Sequence, residues 1–345
     1  MKAKIIIASP LQLINGLEAK KYFNIDSVDI TFLSDGNKKN EDQISLIIEK
    51  LKVESRLSLV KIPKNISFTK RLLFLIKLKN CVDKKNVYDF VILGHFRSIY
   101  QATYANFYTA KKVLVDDGTR SLNDLSFLNQ GGYNTFNYLL KRVLYSAFFV
   151  KPFLIQKQYT FFSYYKPKIK LQNHINLIKN EFSFINKIRE NRNEIPVNKK
   201  VAFVGQSLVD NKLVSLETYL KLIRGVDTYY KNKYSYSIQI EYYCHRNESD
   251  EVLEVIKNVS NWKIVKNELP LELHFLLSPS FPIEIGLFFS SVSETLSILF
   301  NEKLKLTSFY ILPIDLLYRT EEIETLYRSY KISNNVQLVE KYVDS

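Results

Sequence analysis

The sequence predicts an α/β protein built from two domains, each with a mostly parallel sheet. Short apolar runs typical of strands buried on both faces alternate with helical segments along most of the chain. This pattern begins at Lys4-Ile5-Ile6-Ile7-Ala8 and begins again, after a polar stretch, at Lys200-Val201-Ala202-Phe203-Val204. At 345 residues the chain is long enough for two hydrophobic cores.

Composition restricts the class of protein. An apolar content of 46% with 24% charged residues is typical of a globular chain and excludes an intrinsically disordered one. Cys81 and Cys244 match no metal spacing or disulfide framework, so we expect a reducing, cytoplasmic setting and no structural metal. No stretch approaches the roughly 20 apolar residues of a membrane span. The closest, 143–155, is interrupted by Lys151 and Pro152.

The net charge of +14, from 49 basic and 35 acidic residues, calls for an anionic partner. Nucleic acid, anionic lipid and an anionic small substrate are the three candidates. Segment 138–171 is dense in Phe, Tyr and Lys, which can pack as core beneath a basic rim, sit at a lipid interface or stack on bases. We favour core packing, and place the lipid interface ahead of nucleic acid.

In the first half, Ser9 is suited to cap a helix with Pro10 in its first turn. This helix places Gln12 and Asn15 near the carboxyl end of the first strand, where polar side chains commonly hold a ligand, although capping explains them almost as well. Further strands are predicted at 28–33, 57–62, 90–93 and 113–115, with helices at 41–52 and 69–83.

The last of these strands runs into Asp116-Asp117-Gly118. Successive strand side chains point to opposite faces, so the two carboxylates cannot both face one cleft. Gly118 can adopt a positive φ and turn the chain sharply beside a ligand. Ligands of open α/β sheets bind outside the carboxyl ends of the strands, where this pair lies. A solvated turn is the plain alternative, since Asp and Gly are ordinary turn residues.

The second half follows 173–198, a polar segment predicted to link a domain at 1–172 to one at 199–320. Its first strand leads into Gly205-Gln206-Ser207, a loop where backbone could approach a ligand, without the glycine spacing of a dinucleotide fingerprint or P-loop. Further elements are predicted as strands at 238–243, 262–265 and 285–289 and helices at 250–258, 270–277 and, at the C-terminus, 321–345.

A pair of serines ends the last of these strands. Ser291 and Glu294 form a capping-box pattern, so a helix is predicted to begin there, which leaves the Ser290 hydroxyl to spare. The free N–H groups and the positive dipole end at a helix start can bind phosphate. A plain cap explains the pattern as well.

His245-Arg246 also follows a predicted strand. A histidine there can hydrogen-bond a leaving phosphate and donate a proton near neutral pH. Arg246 could supply fixed positive charge or face solvent. The other three histidines are expected to be structural: His95, His174 and His274. His95-Phe96-Arg97 is kept as an outside candidate for the cleft.

Together these motifs resemble those of the bacterial GT-B sialyltransferases, most closely the lipooligosaccharide sialyltransferase family (glycosyltransferase family 52), with the bacterial polysialyltransferases and Pasteurella-type enzymes as cousins. That family has an acidic pair before a glycine, then His-Pro, then two serines. The residues that match, in the same order, are Asp116-Asp117-Gly118, His245-Arg246 and Ser290-Ser291. Arg246 stands where the family usually has proline. The opening Ser9-Pro10-Leu11-Gln12 with Asn15 and Glu18, Gly205-Gln206 and Pro270-Leu271-Glu272-Leu273 are also similar.

The resemblance implies a GT-B fold, in which two Rossmann-like domains face each other across a cleft. It implies that Asp117 is the general base on the acceptor hydroxyl and that His245 binds the cytidylate phosphate and acts as the acid. Ser290 and Ser291 would hold that phosphate, and Glu272 would bind the ribose. We expect further substrate contacts from neighbouring residues of these motifs: Gly205, Gln206, Ser207, Arg246, Asp116, Gly118, Gln12 and Asn15.

The implied reaction transfers sialic acid or a related nine-carbon ulosonic acid from CMP to a hydroxyl of a cell-surface glycan, lipooligosaccharide or capsule. Neither a metal nor a cofactor is expected, because a helix start, hydroxyls and a histidine can stabilise the leaving phosphate. The expected partners are the donor and the glycan, without nucleic acid. Peripheral association with the cytoplasmic face of the inner membrane is left open.

Two alternatives are kept. A hexosyltransferase on the same scaffold would use another sugar nucleotide. A basic RNA- or lipid-binding protein without catalysis would show steeply salt-dependent binding. The sequence contains no aromatic-basic motif of the RNA-binding type, and its carboxylate pair would repel the phosphates of a nucleic acid or lipid.

Overall fold

The structure is a computed structural model. It describes residues 1–64, 66–82, 86–118, 120–165, 170–190, 196–290, 292–300, 304–332 and 335–343. The chain divides into two compact units, Met1–Ile188 (unit 1) and Arg189–Ser345 (unit 2). Each unit is a Rossmann-like α/β body around one parallel sheet, which confirms the predicted fold class. The predicted cleft stays a prediction.

Unit 1 contains a seven-stranded sheet. Its strands are β1 (Lys2–Ile7), β2 (Ser27–Ser34), β3 (Ser55–Lys61), β4 (Phe90–Leu93), β5 (Lys111–Val115), β6 (Tyr159–Ser163) and β7 (Ile175–Lys179). Their order is β3-β2-β1-β4-β5-β6-β7, and the neighbouring pairs are parallel. The helices are α1 (Pro10–Tyr22), α2 (Lys38–Lys50), α3 (Phe68–Leu78), α4 (Ile99–Ala105), α5 (Arg120–Asn129), α6 (Phe136–Ser146) and α7 (Ser183–Glu190).

Unit 2 contains a six-stranded sheet. Its strands are β8 (Val197–Val204), β9 (Gln239–Tyr243), β10 (Lys263–Val265), β11 (Phe281–Leu287), β12 (Leu306–Phe309) and β13 (Gln337–Val339). Their order is β10-β9-β8-β11-β12-β13, and again the neighbouring pairs are parallel. The helices are α8 (Leu216–Lys233), α9 (Asp250–Val259), α10 (Leu271–Leu277), α11 (Val292–Phe300) and α12 (Thr320–Ile332).

The strand order positions the functional edge of each sheet. It reverses direction beside the first strand, between β1 and β4 in unit 1 and between β8 and β11 in unit 2. In sheets of this kind ligands bind at the carboxyl ends of the strands near that reversal. Local sequence fixes the first such edge as predicted, because Ser9 caps α1 by accepting the Gln12 N–H and Pro10 occupies the first helical turn.

Two predicted boundaries are wrong. The segment 173–198, predicted as a linker, contains β7 and α7, and β7 pairs with β6 from Ile175 to Lys179. It was missed because this edge strand mixes exposed polar and apolar residues and lacks the apolar run of a central strand. The segment 321–345, predicted as one helix, contains most of α12 and then β13, whose three residues are too few to show a strand period.

The aromatic and basic segment 138–171 divides into two kinds of environment. Tyr159 and Phe161 of β6 are buried, as core packing predicts, whereas Val143 of α6 and the following Phe149 are exposed. Within the described ranges, no helix has both the length and the apolar character needed to cross a membrane.

Candidate functional site

The carboxyl edge of unit 1 fixes the Asp117 side chain at the end of β5. One carboxylate oxygen accepts a hydrogen bond from the Ser9 hydroxyl at 3.3 Å, and the other lies 3.2 Å from the Arg120 guanidinium. The Asp117 N–H donates to the Ser121 hydroxyl at 2.9 Å. The side chain remains 14% exposed, so the carboxylate is oriented by the protein and still reachable from solvent.

Asp116 points the other way, as the alternation of strand side chains predicts. Its two carboxylate oxygens accept hydrogen bonds from the Ser163 hydroxyl at 2.7 Å and the Tyr164 N–H at 2.8 Å. The residue is buried, and it joins the ends of β5 and β6. Asp116 therefore has a structural role, and its substrate contact stays a prediction. Gly118 has a φ of +64°, the turn conformation that was expected of it.

Gln12 and Asn15 are also used internally. The Gln12 side-chain oxygen accepts hydrogen bonds from the Ala8 N–H and from the Gln101 amide. The Asn15 amide donates to the Asp116 carbonyl, and its oxygen accepts from Asn180. Both side chains are buried, and buried amides must satisfy their polar groups within the protein. Both side chains hold α1 to its neighbours, and their role as substrate contacts stays a prediction.

Glu18, two turns into α1, is a second buried carboxyl in unit 1. Its oxygens accept the N–H groups of Phe184 and Ile185 at the start of α7, at 2.8 and 2.9 Å. Burial raises the pKa of the Glu18 carboxyl to about 7, an effect that these two hydrogen bonds only partly offset. Glu18 thus anchors α7 to the body of unit 1.

A cavity of about 750 Å³ lies in unit 1 beside the β4 and β5 ends. His95 and Arg97, the outside candidates from the sequence, both contribute to its wall. Asp124 lies between them, 3.5 Å from His95 Nδ1 and 3.7 Å from the Arg97 guanidinium. The lining residues are Phe68, Arg71, His95, Arg97, Ile99, Arg120, Asn123, Asp124, Tyr133, Tyr138, Lys141, Leu144, Tyr145 and Phe153. The cavity was not predictable from the sequence, because its cations are widely separated along the chain and share no motif.

In unit 2, Ser290 follows β11 and forms the start of α11. Its hydroxyl oxygen accepts the Val292 N–H at 3.3 Å, and its carbonyl accepts the Ser293 N–H at 3.1 Å. The Ser290 hydroxyl therefore acts in the capping itself, and the prediction that it is to spare is wrong. Ser291, predicted as the cap, lies outside the described residues.

Tyr330 of α12 stabilises this turn through hydrogen bonds. Its hydroxyl accepts the Ser290 N–H at 3.1 Å and the Ser293 hydroxyl at 3.0 Å, and it donates to the Ser290 carbonyl at 3.0 Å. The tyrosine is buried, and burial raises its pKa to about 12, so the phenol stays protonated. The orientation of the Ser290 turn thus depends on a side chain that sequence analysis did not select.

Glu272 lies beside α11, the helix that follows the Ser290 turn. It lies in the first turn of α10, and its Oε1 accepts a hydrogen bond from the Thr295 hydroxyl of α11 at 2.7 Å. Burial raises the pKa of the Glu272 carboxyl, and the Thr295 hydrogen bond opposes this rise. The structure thereby places Glu272 beside the first turn of α11, the element that the Ser290 turn begins.

The loop after β8 is a structural connection. The Gln206 amide donates to the Phe289 carbonyl and accepts the Phe289 N–H at 3.0 Å, which ties the β8 end to the residue before Ser290. Ser207 is buried and accepts a hydrogen bond from Asn211 at 2.8 Å. Gln206 and Ser207 therefore have structural roles in this loop, and their substrate contacts stay a prediction.

Gly205 is likewise explained by packing. A Cβ atom at this position would lie 2.7 Å from Glu248 Oε2 and from the Tyr242 ring. The glycine therefore admits two neighbouring side chains of unit 2, and the predicted approach of a ligand is not needed to explain it.

His245 follows β9 and is oriented by a buried carboxyl. Its backbone N–H donates to Glu248 Oε2 at 2.6 Å, and its Nδ1 accepts the Asn247 N–H at 3.2 Å. The neutral ring therefore carries its proton on Nε2. Arg246, next in the chain, is exposed.

Glu248 was not predicted from the sequence. Its other oxygen accepts a hydrogen bond from the Tyr242 hydroxyl, which lies 2.7 Å from that of Tyr219. Burial raises the pKa of Glu248 to about 7, although its hydrogen bonds lower it. Through Glu248, Gly205, Gln206 and Phe289, a continuous set of contacts links the backbone of His245 to that of Ser290 within unit 2.

The described part of the chain contains no group of three or more His, Cys, Asp or Glu side chains placed to hold a metal ion. The expected independence of a metal stays a prediction.

No protein-family model and no curated protein sequence matches this chain. Solved structures do match it. A 2,6-sialyltransferase of Photobacterium sp. JT-ISH-224, in a ternary complex with CMP and lactose, is 13% identical, with 98% of this chain and 78% of that chain covered and a TM-score of 0.53.

Two further similar structures contain uridine nucleotides. Arabidopsis thaliana UGT89C1 with UDP-L-rhamnose is 10% identical over 98% of this chain and 85% of that one, with a TM-score of 0.51. The S. aureus MnaA-UDP structure is 11% identical over 94% and 82%, with a TM-score of 0.50. At these identities the likeness shows the fold. The protein has the GT-B type of fold. The structures that share this fold with it include glycosyltransferases, one of them a sialyltransferase.

Proposed function

We propose that the protein is a glycosyltransferase that moves sialic acid or a related nine-carbon ulosonic acid from its CMP donor to a hydroxyl of a cell-surface glycan such as lipooligosaccharide or capsule. The observation that carries the proposal is the oriented and reachable carboxylate of Asp117 at the carboxyl edge of unit 1. The motif resemblance to family 52 and the GT-B fold support it.

Asp117 acts on the acceptor. An ionised carboxylate within hydrogen-bond reach of a hydroxyl can take its proton as the new bond to the sugar forms. Ser9 and Arg120 hold the two Asp117 oxygens from either side, so the base keeps one orientation. Little nucleophilic push is required, because the carbon that is attacked has oxocarbenium character.

Unit 2 binds the donor. The turn at Ser290 and the start of α11 provide a dipole end suited to the phosphate of CMP, and Glu272 beside them provides a carboxyl for the ribose. His245 carries its proton on Nε2, which can be donated to the departing phosphate. The charge that develops on the leaving group is met by fixed protein groups, so the proposal requires no metal.

The test is a nucleotide-binding screen followed by product analysis. We expect CMP to raise the melting temperature of the full chain and to bind more tightly than UDP in calorimetry. Incubation with CMP-activated nine-carbon acids and a lactose-terminated acceptor should then give an acidic product that mass spectrometry detects. Preferential binding of UDP would favour a hexosyltransferase on the same fold.

Absence of binding to both nucleotides would overturn the proposal. In that case a non-catalytic role on RNA or anionic lipid, with binding that falls steeply as salt is raised, becomes the explanation of the +14 charge.

A further inference from the structure

We propose that the cavity of unit 1 binds the acidic group of a charged saccharide, so that the acceptor is itself an acidic glycan. The identification of the ligand as an acceptor rests on the proposed function. The binding of an acidic saccharide by unit 1 rests on the cavity alone.

Charge is the first observation. The described residues of the cavity wall include four cations, Arg71, Arg97, Arg120 and Lys141, of which Arg120 is already paired with Asp117, and one carboxylate, Asp124. That carboxylate already faces both Arg97 and His95, so it offsets only part of the positive charge. Positive charge concentrated in a concave site attracts an anion and raises its local concentration.

The aromatic wall is the second observation. Tyr133 packs against Phe153 and Tyr138, with ring centroids 5.1 and 5.0 Å apart, and Phe153 also packs against Tyr145 at 6.0 Å. These interlocked rings present a preformed apolar surface, which suits the C–H faces of a sugar ring. Cations beside such a surface fit a ligand with both a flat apolar face and an acidic group.

Position is the third observation. Arg120 contributes to the cavity wall and lies 3.2 Å from the Asp117 carboxylate. A saccharide whose acidic group lies among the cavity cations would therefore have its neighbouring hydroxyls near the proposed base. The volume of about 750 Å³ falls within the range of about 300–1,000 Å³ typical of small-molecule sites.

The shared chemistry of the ligand is an anionic oxygen pair. A guanidinium binds either a carboxylate or a phosphate through two parallel hydrogen bonds. A uronic or ulosonic acid would supply the first group, and a phosphorylated sugar the second.

Calorimetry on the full chain without donor tests the proposal with three probes: lactose, sialyllactose and lactose phosphate. We expect one acidic probe to bind at least about tenfold more tightly than lactose, as one charge-assisted hydrogen-bonded pair would give. The tighter of the two acidic probes identifies the group as carboxylate or phosphate.

Variants locate the binding. We expect Arg97→Gln and Lys141→Gln to reduce affinity for the acidic probe about tenfold each. Arg142→Gln is the matched control, because Arg142 is adjacent to Lys141 on α6 but does not line the cavity. Equal affinity of all three probes, or acidic-probe binding unchanged by Arg97→Gln in a protein of unchanged melting temperature, would overturn the proposal. These measurements need no nucleotide, so failure of the donor assignment would leave them unaffected.

The outer face of α6 exposes several apolar side chains to solvent. Tyr145 is the buried residue of this helix, whereas Leu140 and Val143 are 55% and 66% exposed, and Phe149 just beyond it is 85% exposed. We propose that this face docks on an anionic lipid surface.

Charge complementarity identifies lipid as the occupant. The sequence contains no Asp or Glu between Asp124 and Glu181, and Lys141 and Lys151 are exposed beside the apolar side chains. A helix with exposed apolar residues, in a segment of sequence whose charged residues are all cations, fits anionic headgroups over acyl chains.

Sedimentation with vesicles tests the docking. We expect the protein to bind phosphatidylcholine vesicles that contain phosphatidylglycerol and to bind pure phosphatidylcholine much less. Leu140→Asp/Val143→Asp should reduce binding by more than about tenfold, since each loses the burial of an apolar side chain. Ile314→Asp, at an exposed apolar position of unit 2, is the control. Equal binding to both vesicle types, or no effect of the double variant, would refute lipid docking.

Discussion

The two carboxyl edges have the same strand topology but present different chemistry. In unit 1 a carboxylate, Asp117, emerges beside a cavity rich in cations. In unit 2 a serine turn and a histidine emerge, and buried side chains hold each of them, Tyr330 for Ser290 and Glu248 for His245. The candidate residue at each edge is therefore one member of a hydrogen-bonded network. In unit 2 its supporting side chains are buried, whereas in unit 1 they include the exposed Arg120.

The largest expected effect tests whether unit 1 is the catalytic edge. Asp117→Asn keeps the shape of the side chain but removes the base, so we expect transfer to fall about 100- to 10,000-fold. Steady-state kinetics with a saturating donor measures the loss. CMP affinity should change less than about twofold, because the donor is assigned to unit 2. A variant that retains near wild-type turnover would remove Asp117 as the base.

The next effect compares the buried carboxyls of the two units. Burial raises the pKa of both Glu18 and Glu248 to about 7 from an ordinary value of 4.5. Between these values the folded chain holds protons that the unfolded chain has released, so the unfolding free energy falls as pH rises from about 4.5 to about 7. Each carboxyl contributes about 3 kcal/mol to that fall.

Denaturant titrations at about pH 5 and about pH 8 measure this dependence. Glu248→Gln should reduce the difference between the two pH values, since its amide cannot titrate. Glu18→Gln should in addition lower stability at both, because an amide N–H would oppose one of the two N–H groups of α7. An unchanged pH dependence in both variants would contradict the assignment.

A third effect separates the two adjacent aspartates of unit 1. In Asp116→Asn an amide replaces an oxygen that accepts either the Ser163 hydroxyl or the Tyr164 N–H, so we expect a loss of about 1–3 kcal/mol in unfolding free energy. Asp117→Asn should cost less than about 1 kcal/mol, since that side chain is partly exposed. Equal destabilisation by the two substitutions would mean that their roles are not distinct.

The smallest expected effect concerns the support of unit 2. Tyr330→Phe removes the hydroxyl that bonds the Ser290 N–H and carbonyl, so we expect CMP affinity to fall about tenfold through a less ordered turn. Tyr318→Phe is a matched control, because its hydroxyl bonds the Asn211 carbonyl in an exposed part of the same unit. Calorimetry with CMP compares them, and equal affinities would show that the turn does not need Tyr330.

Local signals made much of the fold predictable. The strand at Phe90–Leu93 was predicted with the bounds that the structure has, because a short apolar run is the signature of a buried parallel strand. The Gly118 turn and the Ser9 cap depend only on adjacent residues, and both were predicted. The edge strands β7 and β13 were missed because they are short or mixed in pattern.

The site was less predictable because its hydrogen bonds join distant positions. Nothing near Gln206 in the sequence indicates that its amide bonds Phe289, and nothing near Asn15 indicates Asn180. These amides were therefore predicted to bind substrate, while the structure uses them for packing. Glu248 and Tyr330 were overlooked for the same reason, since a lone Glu or Tyr gains a role only from its tertiary partners.

The hydrogen bonds between Tyr330 and Ser290 also set the order in which parts of unit 2 can fold during synthesis. The ribosome makes β11 and the serine turn well before α12, so the nascent turn lacks its buried phenol until that later helix has emerged and docked. Unit 1, by contrast, has all of its strands translated before unit 2 begins. Vectorial folding would then complete the strands of unit 1 first and leave the support of the Ser290 turn by Tyr330 among the last contacts to form.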